Sequence, residues 1–137
     1  MGRAVSTPPT PHLAAGDVPG DLDLVVLFGS RARGTHGPSS DWDVGVCFHQ
    51  APEHPLRLCA LDPLLAQAMN RSSDAIDVVD LDQASYLLRR CVAEDGVPLF
   101  EREPGLFAAF CSRASRQWAD WQHRQQKLNN ERAHHTP

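Results

Sequence analysis

The hydrophobic residues fall into short continuous runs and longer periodic segments, which predict four strands and three helices. The short runs are rich in β-branched and aromatic residues, as is typical of buried strands. They cover residues 22–28, 41–48, 75–81 and 97–101. The longer segments repeat apolar residues at steps of three and four, as is typical of helices that pack on one face. They begin near Pro63, Gln83 and Pro104.

Residues that favour helix ends indicate where two of these helices begin. Asp62 followed by Pro63 is a favourable pair for the N-cap and the first helical position, so a helix is predicted to begin there. Asp82 is assigned as the cap of a helix over residues 83–94, which the Asp-Gly pair at 95–96 ends.

Three aromatic residues on the last two helices are assigned to the core. Trp118 and Trp121 continue the apolar stripe of the final helix, and tryptophans at helical spacing are most often buried. A contact face for a partner is the alternative, because exposed aromatic residues are enriched at interfaces. Tyr86 is assigned to packing rather than to self-modification.

The order of elements, β, loop, β, α, β, α, β, α, indicates an α/β fold in which helices cover a small sheet. A chain of 137 residues suits one domain with a substantial core. We predict a flexible, Pro-rich arm over residues 1–20, a domain over residues 21–128 and a frayed polar tail over residues 129–137.

Composition narrows the class of protein. The net charge of −4 argues against a protein that grips long nucleic acid, because phosphate contacts supply most of that affinity. The N-terminus has no signal-peptide pattern, and no apolar run approaches the ~20 residues of a membrane span. The four cysteines are far apart and lack zinc-type spacing, so we expect free, buried thiols and a location in the cytoplasm.

Two aspartates at the start of the second strand place like charges close together. Side chains two residues apart on a strand share a face and stand roughly 6.6 Å apart, so Asp41 and Asp43 are predicted to face the same way. Such carboxylates repel unless a cation or water separates them, and Mg2+ is a hard cation usually shared with substrate phosphates. Two ions about 3.5–4 Å apart form the clamp used for in-line displacement at phosphorus. Turn chemistry is the structural alternative.

A third carboxylate would complete this clamp, and Asp77 is the candidate. It lies inside the apolar run "AIDVV", where burying a lone charge costs several kcal/mol unless a partner such as a metal compensates it. Asp80 is three residues further on and is predicted to face the other way, while Asp82 is explained by helix capping.

The loop after the first strand has the features of a phosphate-binding turn. Gly29 lets the backbone approach a ligand closely. The Ser30 hydroxyl and the amides that follow it can bind phosphate oxygens, while Arg31 and Arg33 add positive charge. The loop is not a Walker loop, because the sequence has no GxxxxGK[ST] motif.

In combination, these motifs resemble the nucleotidyltransferase superfamily of DNA polymerase beta. The residues that carry the resemblance are Gly29, Ser30, Asp41, Asp43 and Asp77. The strings "LFGSRARG", "SDWDVGV", "IDVVDL" and "EDGVPLFERE" are similar to those of its minimal, MNT-type members. These include the MntA-like antitoxins of HEPN/MNT toxin–antitoxin pairs. The resemblance runs from about residue 22 to residue 103.

The resemblance implies a mixed sheet with ATP and two Mg2+ ions at its edge. Asp41 and Asp43 would hold the metals, and Asp77 would bind the catalytic metal and help to deprotonate the attacking hydroxyl. A further implication is that Gly29 and Ser30 position the triphosphate. Arg33 would serve either the phosphates or the structure, and these two roles stay open.

The family reaction moves a nucleoside monophosphate onto a hydroxyl and releases pyrophosphate. In antitoxin members the acceptor is a tyrosine of the HEPN ribonuclease, so we expect an HEPN-type toxin as partner, with no membrane and no direct nucleic-acid binding. The chain lacks the C-terminal domain with which larger relatives hold their acceptor, which favours an acceptor on another protein. Two alternatives stay open: an inactive MNT fold that neutralises a toxin by contact, and a nucleotidyltransferase acting on a small molecule such as an antibiotic.

Overall fold

Within residues 12–134, the part of the chain that this computed structural model describes, four strands form one mixed sheet accompanied by four α-helices. The strands are β1 (Leu22–Phe28), β2 (Trp42–Phe48), β3 (Ile76–Asp80) and β4 (Val97–Glu101). The helices are α1 (Ser30–Arg33), α2 (Arg57–Met69), α3 (Tyr86–Asp95) and α4 (Leu106–His134). The predicted α/β class and the order of elements are confirmed.

The strand order in the sheet is β3-β2-β1-β4. Strand β1 runs antiparallel to both of its neighbours, whereas β2 and β3 are parallel. The start of β2, the start of β3 and the end of β1 therefore meet at one end of the sheet. Phe28 pairs with Asp43 there, and Asp43 pairs with Asp77.

Each face of the sheet carries its own apolar cluster, because the strands alternate their side chains between the two faces. Helix α2 covers one face, where the largest fully buried side chains include Val25, Val44, Val46, Leu61 and Leu65. Helices α3 and α4 cover the other face, whose cluster includes Leu24, Val26, Leu81, Val92 and Phe110. Fully burying a side chain of this size stabilises the fold by about 1.5–3 kcal/mol.

Helix α2 begins at Arg57, so the predicted start at residues 62–63 is wrong. The proline of that pair lies inside the helix, although it removes one backbone hydrogen bond. Leu61 and Leu65 are fully buried against the sheet. Arg57 also donates two hydrogen bonds to the Asp21 carboxylate, at 2.7 and 2.8 Å. These tertiary contacts outweigh the cost of the interior proline.

Ser85 caps helix α3, so the predicted cap at Asp82 is wrong. The Ser85 hydroxyl accepts a hydrogen bond from the Leu88 amide at 3.1 Å. Asp82 lies in the preceding turn, where its backbone amide donates to Asp80 Oδ1 at 3.0 Å. Because residues 80–82 form this turn, the helix begins further along the chain, where Ser85 serves as its cap.

The assignment of Trp118, Trp121 and Tyr86 to the core is wrong. Tyr86 and Trp121 are exposed, and Trp118 is half-buried. The two tryptophan rings stack on each other, with centroids 5.0 Å apart. The periodicity predicted the helix correctly. Because α3 begins at Tyr86, however, it covers only the first half of α4.

The described part of the predicted N-terminal arm packs on the domain. Leu13 and Val18 are buried, and the Leu13 amide donates to the Leu99 carbonyl at 2.9 Å. A single 3-10 turn, Ala15–Asp17, lies between them. The rest of the arm, residues 1–11, lies outside the described residues.

Helix α4 continues to His134, so residues 129–134 of the predicted frayed tail are helical. It begins at Leu106, two residues after the predicted start. Residues 135–137 lie outside the described part, and the division of the chain at residues 20 and 128 remains a prediction.

Candidate active site

Asp43 and Asp77 lie side by side at the end of the sheet where β2 and β3 begin. They are partners in the parallel register. The next residues, Val44 and Val78, are buried in the cluster under α2. Because side chains alternate along a strand, both aspartates point to the opposite face, the one that α3 and α4 partly cover. The structure therefore brings together two of the three predicted carboxylates.

Asp41 immediately precedes β2 rather than beginning it, one residue away from the predicted start. It remains close enough to Asp43 to act on its ionisation. Burial raises the pKa of Asp43, and the negative charges of Asp77 and Asp41 raise it further, while Arg33 opposes them. The three carboxylates thus share one electrostatic environment, as the spacing predicted.

Asp77 is exposed, so the prediction that its charge is buried in an apolar strand is wrong. Strand β3 is an edge strand, and it buries Ile76 and Val78 on its α2 side. Position is what distinguishes Asp77, because it stands next to Asp43 in the register. Asp80 lies outside this group, since its carboxylate accepts the hydrogen bond from the Asp82 amide beyond the strand.

Gly29 forms the wall of the site directly beside Asp43. Its backbone has a positive φ of 76°, which disfavours residues with a side chain. A β-carbon at this position would overlap the Asp43 carboxylate. The glycine therefore allows the end of β1 to lie against Asp43 without displacing it.

The short helix α1 directly follows Gly29. The Gly29 carbonyl accepts hydrogen bonds from the amides of Ala32 and Arg33, both at 3.1 Å. Ser30 begins this turn and Arg33 ends it. Arg33 is exposed, and its positive charge lowers the pKa of Asp43. A guanidinium group thus acts on the carboxylates from α1, and Ser30 is the residue that directly follows Gly29.

Arg31 has a different environment from Arg33. Its guanidinium donates to the Ser40 carbonyl at 3.2 and 2.8 Å, which closes the loop just before Asp41. It also lies over the Trp42 ring, 4.4 Å from the centroid. The Trp42 ring itself is partly buried and packs against the apolar cluster under α2.

Two residues near the site were missed by the sequence analysis. Arg71 lies over the Trp42 ring, 4.6 Å from its centroid, and no local pattern predicted this contact. Asp62 was assigned to a helix cap, but in α2 it lies near Asp77, whose charge raises the pKa of Asp62 after the larger effect of burial. A signal was available here, because an aspartate inside a helix that packs on β3 needs an explanation.

The carboxylates of Asp41, Asp43 and Asp77 suit Mg2+, because this ion prefers oxygen ligands. Burial raises the pKa of Asp43 most, and the negative charges of Asp77 and Asp41, which a cation would compensate, raise it further. In the described residues, no three His, Cys, Asp or Glu side chains already surround one point at which a metal ion could be held. Asp41 and Asp77 are exposed, so their side chains have room to rotate toward an ion.

Comparison with known proteins agrees with this geometry. The family described as Polymerase beta, Nucleotidyltransferase matches residues 19–105, which is more than half of the chain. The chain belongs to the polymerase beta nucleotidyltransferase family. The match spans the whole sheet and both Asp43 and Asp77.

Among curated relatives, this nucleotidyltransferase is similar to "Protein adenylyltransferase MntA" of Aphanizomenon flos-aquae (strain 2012/KM1/D3). The two are 38% identical over 90 residues. The aligned region covers 61% of this chain and 59% of that relative, so the chain aligns with about three fifths of the relative's length.

Among solved structures, the nucleotidyltransferase is similar to a chain in a toxin–antitoxin crystal structure with AMP-PNP. The TM-score is 0.66 at 26% identity, and the match covers 85% of this chain and 89% of that one. A second similar structure is the tri-AMPylated Shewanella oneidensis HEPN toxin in complex with MNT antitoxin. Its TM-score is 0.61 at 23% identity, with 86% and 87% of the two chains covered, and this second likeness concerns the fold alone.

Two further predictions concern thiols and membranes. All four cysteines are free, but Cys59 and Cys91 are exposed, so the prediction of buried thiols is correct for Cys47 and wrong for these two. Cys111 is half-buried. Across residues 12–134, no helix combines the length and the hydropathy that crossing a membrane requires.

Proposed function

We propose that this chain is a Mg2+-dependent nucleotidyltransferase that transfers AMP from ATP to a hydroxyl group of a protein. The observation that carries the proposal is the paired register of Asp43 and Asp77 beside the Gly29 turn. Membership of the family supports the reaction class. Similarity to a protein adenylyltransferase supports AMP as the transferred group and a protein as the acceptor.

Asp41, Asp43 and Asp77 are the residues that would hold two Mg2+ ions. When bound, these ions supply positive charge for the triphosphate and for the attacking and leaving oxygens. Ser30 begins the turn after Gly29 and the charge of Arg33 acts on Asp43, and we assign both residues to positioning the phosphates of ATP. Gly29 keeps that space open.

The reaction itself exchanges one bond at phosphorus. The acceptor hydroxyl oxygen attacks the α-phosphorus of ATP, and the bond from that phosphorus to the oxygen bridging to the β-phosphorus breaks. Pyrophosphate leaves, and the hydroxyl proton passes to the Asp77 carboxylate. Asp77 suits this role because it is exposed next to Asp43 and can meet a group presented by a second molecule.

The acceptor in this proposal is a tyrosine hydroxyl of an HEPN-type ribonuclease toxin, and the chain acts as the antitoxin. The similarity to a chain in a toxin–antitoxin structure supports such a partner. The single sheet of the described residues also presents its carboxylates at an open end, which suits an acceptor on another protein. Four free cysteines are consistent with a reducing compartment, and we propose the cytoplasm.

The experiment uses ATP labelled on the α-phosphate, Mg2+, the purified chain and an extract of its own host. A labelled protein band on a denaturing gel is the expected result. The matched control is the double variant Asp41→Asn/Asp43→Asn, which keeps the shape of both side chains and removes their charge. The label should be missing with this variant.

Two other results would redirect the proposal. A stable complex with a protein that never becomes labelled would mean neutralisation by contact alone. Label recovered in a small molecule rather than in a protein band would mean a small-molecule acceptor such as an antibiotic. Protein label that persists with the double Asn variant would contradict the assignment of Asp41 and Asp43.

A further inference from the structure

A groove of about 610 Å3 lies between the start of α3 and the middle of α4, away from Asp41, Asp43 and Asp77, and Asp82 and Arg89 are among the residues that line it. Four large apolar side chains line it: Tyr86, Leu87, Trp118 and Trp121. Tyr86 is 37% exposed, Leu87 is 56% exposed and Trp121 is 36% exposed. Grouped exposed apolar side chains of this kind mark surfaces that meet partners. We call this feature the α3–α4 groove.

Helix α4 continues well beyond this groove. It runs antiparallel to α3, because Cys111 contacts the Ala93 carbonyl and Gln117 accepts a hydrogen bond from Arg89. It therefore passes the beginning of α3 near Trp121. Residues 122–134 then extend about 20 Å further, at 1.5 Å per residue, and all of them are exposed except the half-buried residue 125.

The apolar stripe of α4 also continues past the part that α3 covers. Its members are Phe107, Phe110, Ala114, Trp118, Trp121 and Leu128. Phe110 and Ala114 are buried, whereas Leu128 is 47% exposed. The members recur at steps of three, four and seven residues, the spacing at which one helix packs along another. The uncovered half of the stripe therefore fits a second helix.

Charge indicates what kind of helix would fit. Helix α4 is basic, although the whole chain has a net charge of −4. Its positive residues are Arg113, Arg116, Arg124, Lys127 and Arg132, and its negative residues are Asp120 and Glu131. Two copies of α4 packed together would bring like charges close, whereas an acidic helix would be complementary.

We propose that the α3–α4 groove and the exposed stripe of α4 bind an amphipathic helix of a partner protein, with Asp and Glu flanking its apolar stripe. The inference rests on the proposed function in one respect, namely that this partner is the acceptor protein. The groove begins beyond the end of β3, roughly 10 Å along the strand from Asp77 at ~3.3 Å per residue. A partner bound there leaves the carboxylates open to its hydroxyl group.

The test places a photo-crosslinking amino acid at Leu128 of the full chain, expressed in its own host. The control places the same group at Leu64, which is 42% exposed on α2. The expected result is a protein crosslinked from position 128 and not from position 64. Mass spectrometry should map the crosslink to a helix with an apolar stripe flanked by acidic residues. A crosslink to a second copy of the chain, to a basic segment, or to no protein would overturn the proposal.

The same experiment separates this inference from the proposed function. In the Asp41→Asn/Asp43→Asn variant the crosslink should persist while nucleotide label disappears. If the wild type crosslinks to an acidic helix but no protein carries nucleotide label, the proposed docking surface is supported and the proposed nucleotidyl transfer is contradicted. A labelled acceptor that never crosslinks from position 128 would support the transferase and contradict the surface.

Affinity for the purified partner gives a second readout. Trp121→Ser/Leu128→Ser should raise Kd at least about tenfold, because it removes apolar anchors from the contact. The control Leu56→Ser/Leu64→Ser removes two exposed apolar side chains elsewhere and should leave Kd within about twofold. Equal Kd values for the two double variants would contradict the surface.

Charge reversal tests the chemistry of the partner. Arg124→Glu/Lys127→Glu should raise Kd and reduce its dependence on salt, since both changes remove attraction to acidic side chains. Tighter binding by this variant would mean that the partner helix is not acidic.

Discussion

Gly29 lies directly against the carboxylate of Asp43, and its α-carbon has no room for a side chain. A β-carbon there would overlap Asp43 Oδ2. The backbone φ of 76° independently favours glycine. The turn after β1 and the carboxylate on β2 are thus fitted to each other, which ties the position of Asp43 to the conformation of the adjacent strand.

Gly29→Ala should reduce nucleotidyl transfer by about 100-fold, because a displacement of about 1 Å at a reacting group has that effect. The control is Gly34→Ala, which has nearly the same φ of 75° but has open space around it. Gly34→Ala should lose about 1–2 kcal/mol of unfolding free energy from its left-handed backbone. Gly29→Ala should lose about 1–3 kcal/mol, because its ψ of −158° lies in a region that is essentially restricted to glycine. Initial rates and denaturant unfolding measure the two effects. Equal transfer rates for the two variants would contradict the role of the Gly29–Asp43 contact.

Asp43→Asn should make the metal-free protein more resistant to heat while abolishing transfer. Burial and the charges of Asp77 and Asp41 raise the pKa of Asp43, so its ionised form opposes folding at neutral pH. Because the pKa is raised in the folded state, this gain should shrink as pH falls and the wild-type carboxyl becomes protonated. Melting temperatures measured in a chelator across pH check this. A lower melting temperature for the variant at neutral pH would contradict the repulsion.

Asp77→Ala should lose catalysis while its affinity for ATP falls modestly, because the phosphate contacts of Ser30 and Arg33 remain. Loss of a positioned base lowers rates by about 100- to 10,000-fold. The control is Asp80→Ala on the same strand, since Asp80 bonds within its own turn. Single-turnover rates and ATP titration separate the two quantities. Activity of Asp77→Ala within tenfold of wild type would mean that another carboxylate, with Asp62 the nearest alternative, has this role.

The two arginines of α1 should respond differently to substitution. Arg31→Ala should lower the melting temperature, because Arg31 bonds to the Ser40 carbonyl and lies over Trp42. Arg33→Ala should leave the melting temperature nearly unchanged and raise the KM for ATP, because Arg33 is exposed beside the carboxylates. Thermal melts and steady-state kinetics on both variants distinguish these roles. A loss of stability in Arg33→Ala that matches Arg31→Ala would contradict the distinction.

The ion pair between Asp21 and Arg57 should make the free energy of unfolding decrease as pH falls. Hydrogen bonding to Arg57 lowers the pKa of Asp21, so the stabilisation is present at neutral pH and is lost as pH falls through that lowered pKa. Both side chains are partly exposed, so the pair is worth about 0.2–1 kcal/mol. Asp21→Asn should remove this part of the pH dependence in denaturant unfolding. If the free energy of unfolding of Asp21→Asn depended on pH as steeply as that of the wild type, this contribution of the ion pair would be contradicted.

The elements that the sequence predicted well are those with strong local signals. The continuous run of β1 and the alternating apolar positions of β2 and β3 can be recognised without tertiary information, and so can the carboxylates at their starts. The beginning of α2 could not, because it depends on Leu61 packing against the sheet and on Arg57 reaching Asp21, far away in sequence.

The surroundings of the site were harder to predict for the same reason. Arg71 lies over Trp42 across the fold, and the charge of Asp77 acts on Asp62 of α2. Periodicity also identified the stripe of Trp118 and Trp121 but not its exposure, since the exposure depends on where α3 begins. Local chemistry therefore led to the candidate site residues, whereas tertiary packing determines what surrounds them.

The measurement that tests nucleotidyl transfer most directly compares ATP labelled on the α-phosphate with ATP labelled on the γ-phosphate. Each is incubated with the chain, Mg2+ and the acceptor protein, and resolved on a denaturing gel. We expect label on the acceptor from α-labelled ATP and none from γ-labelled ATP, because pyrophosphate leaves with the γ-phosphate. Label from γ-labelled ATP would mean phosphoryl transfer, and no label from either would mean that the fold acts by contact; both results would contradict the proposed reaction.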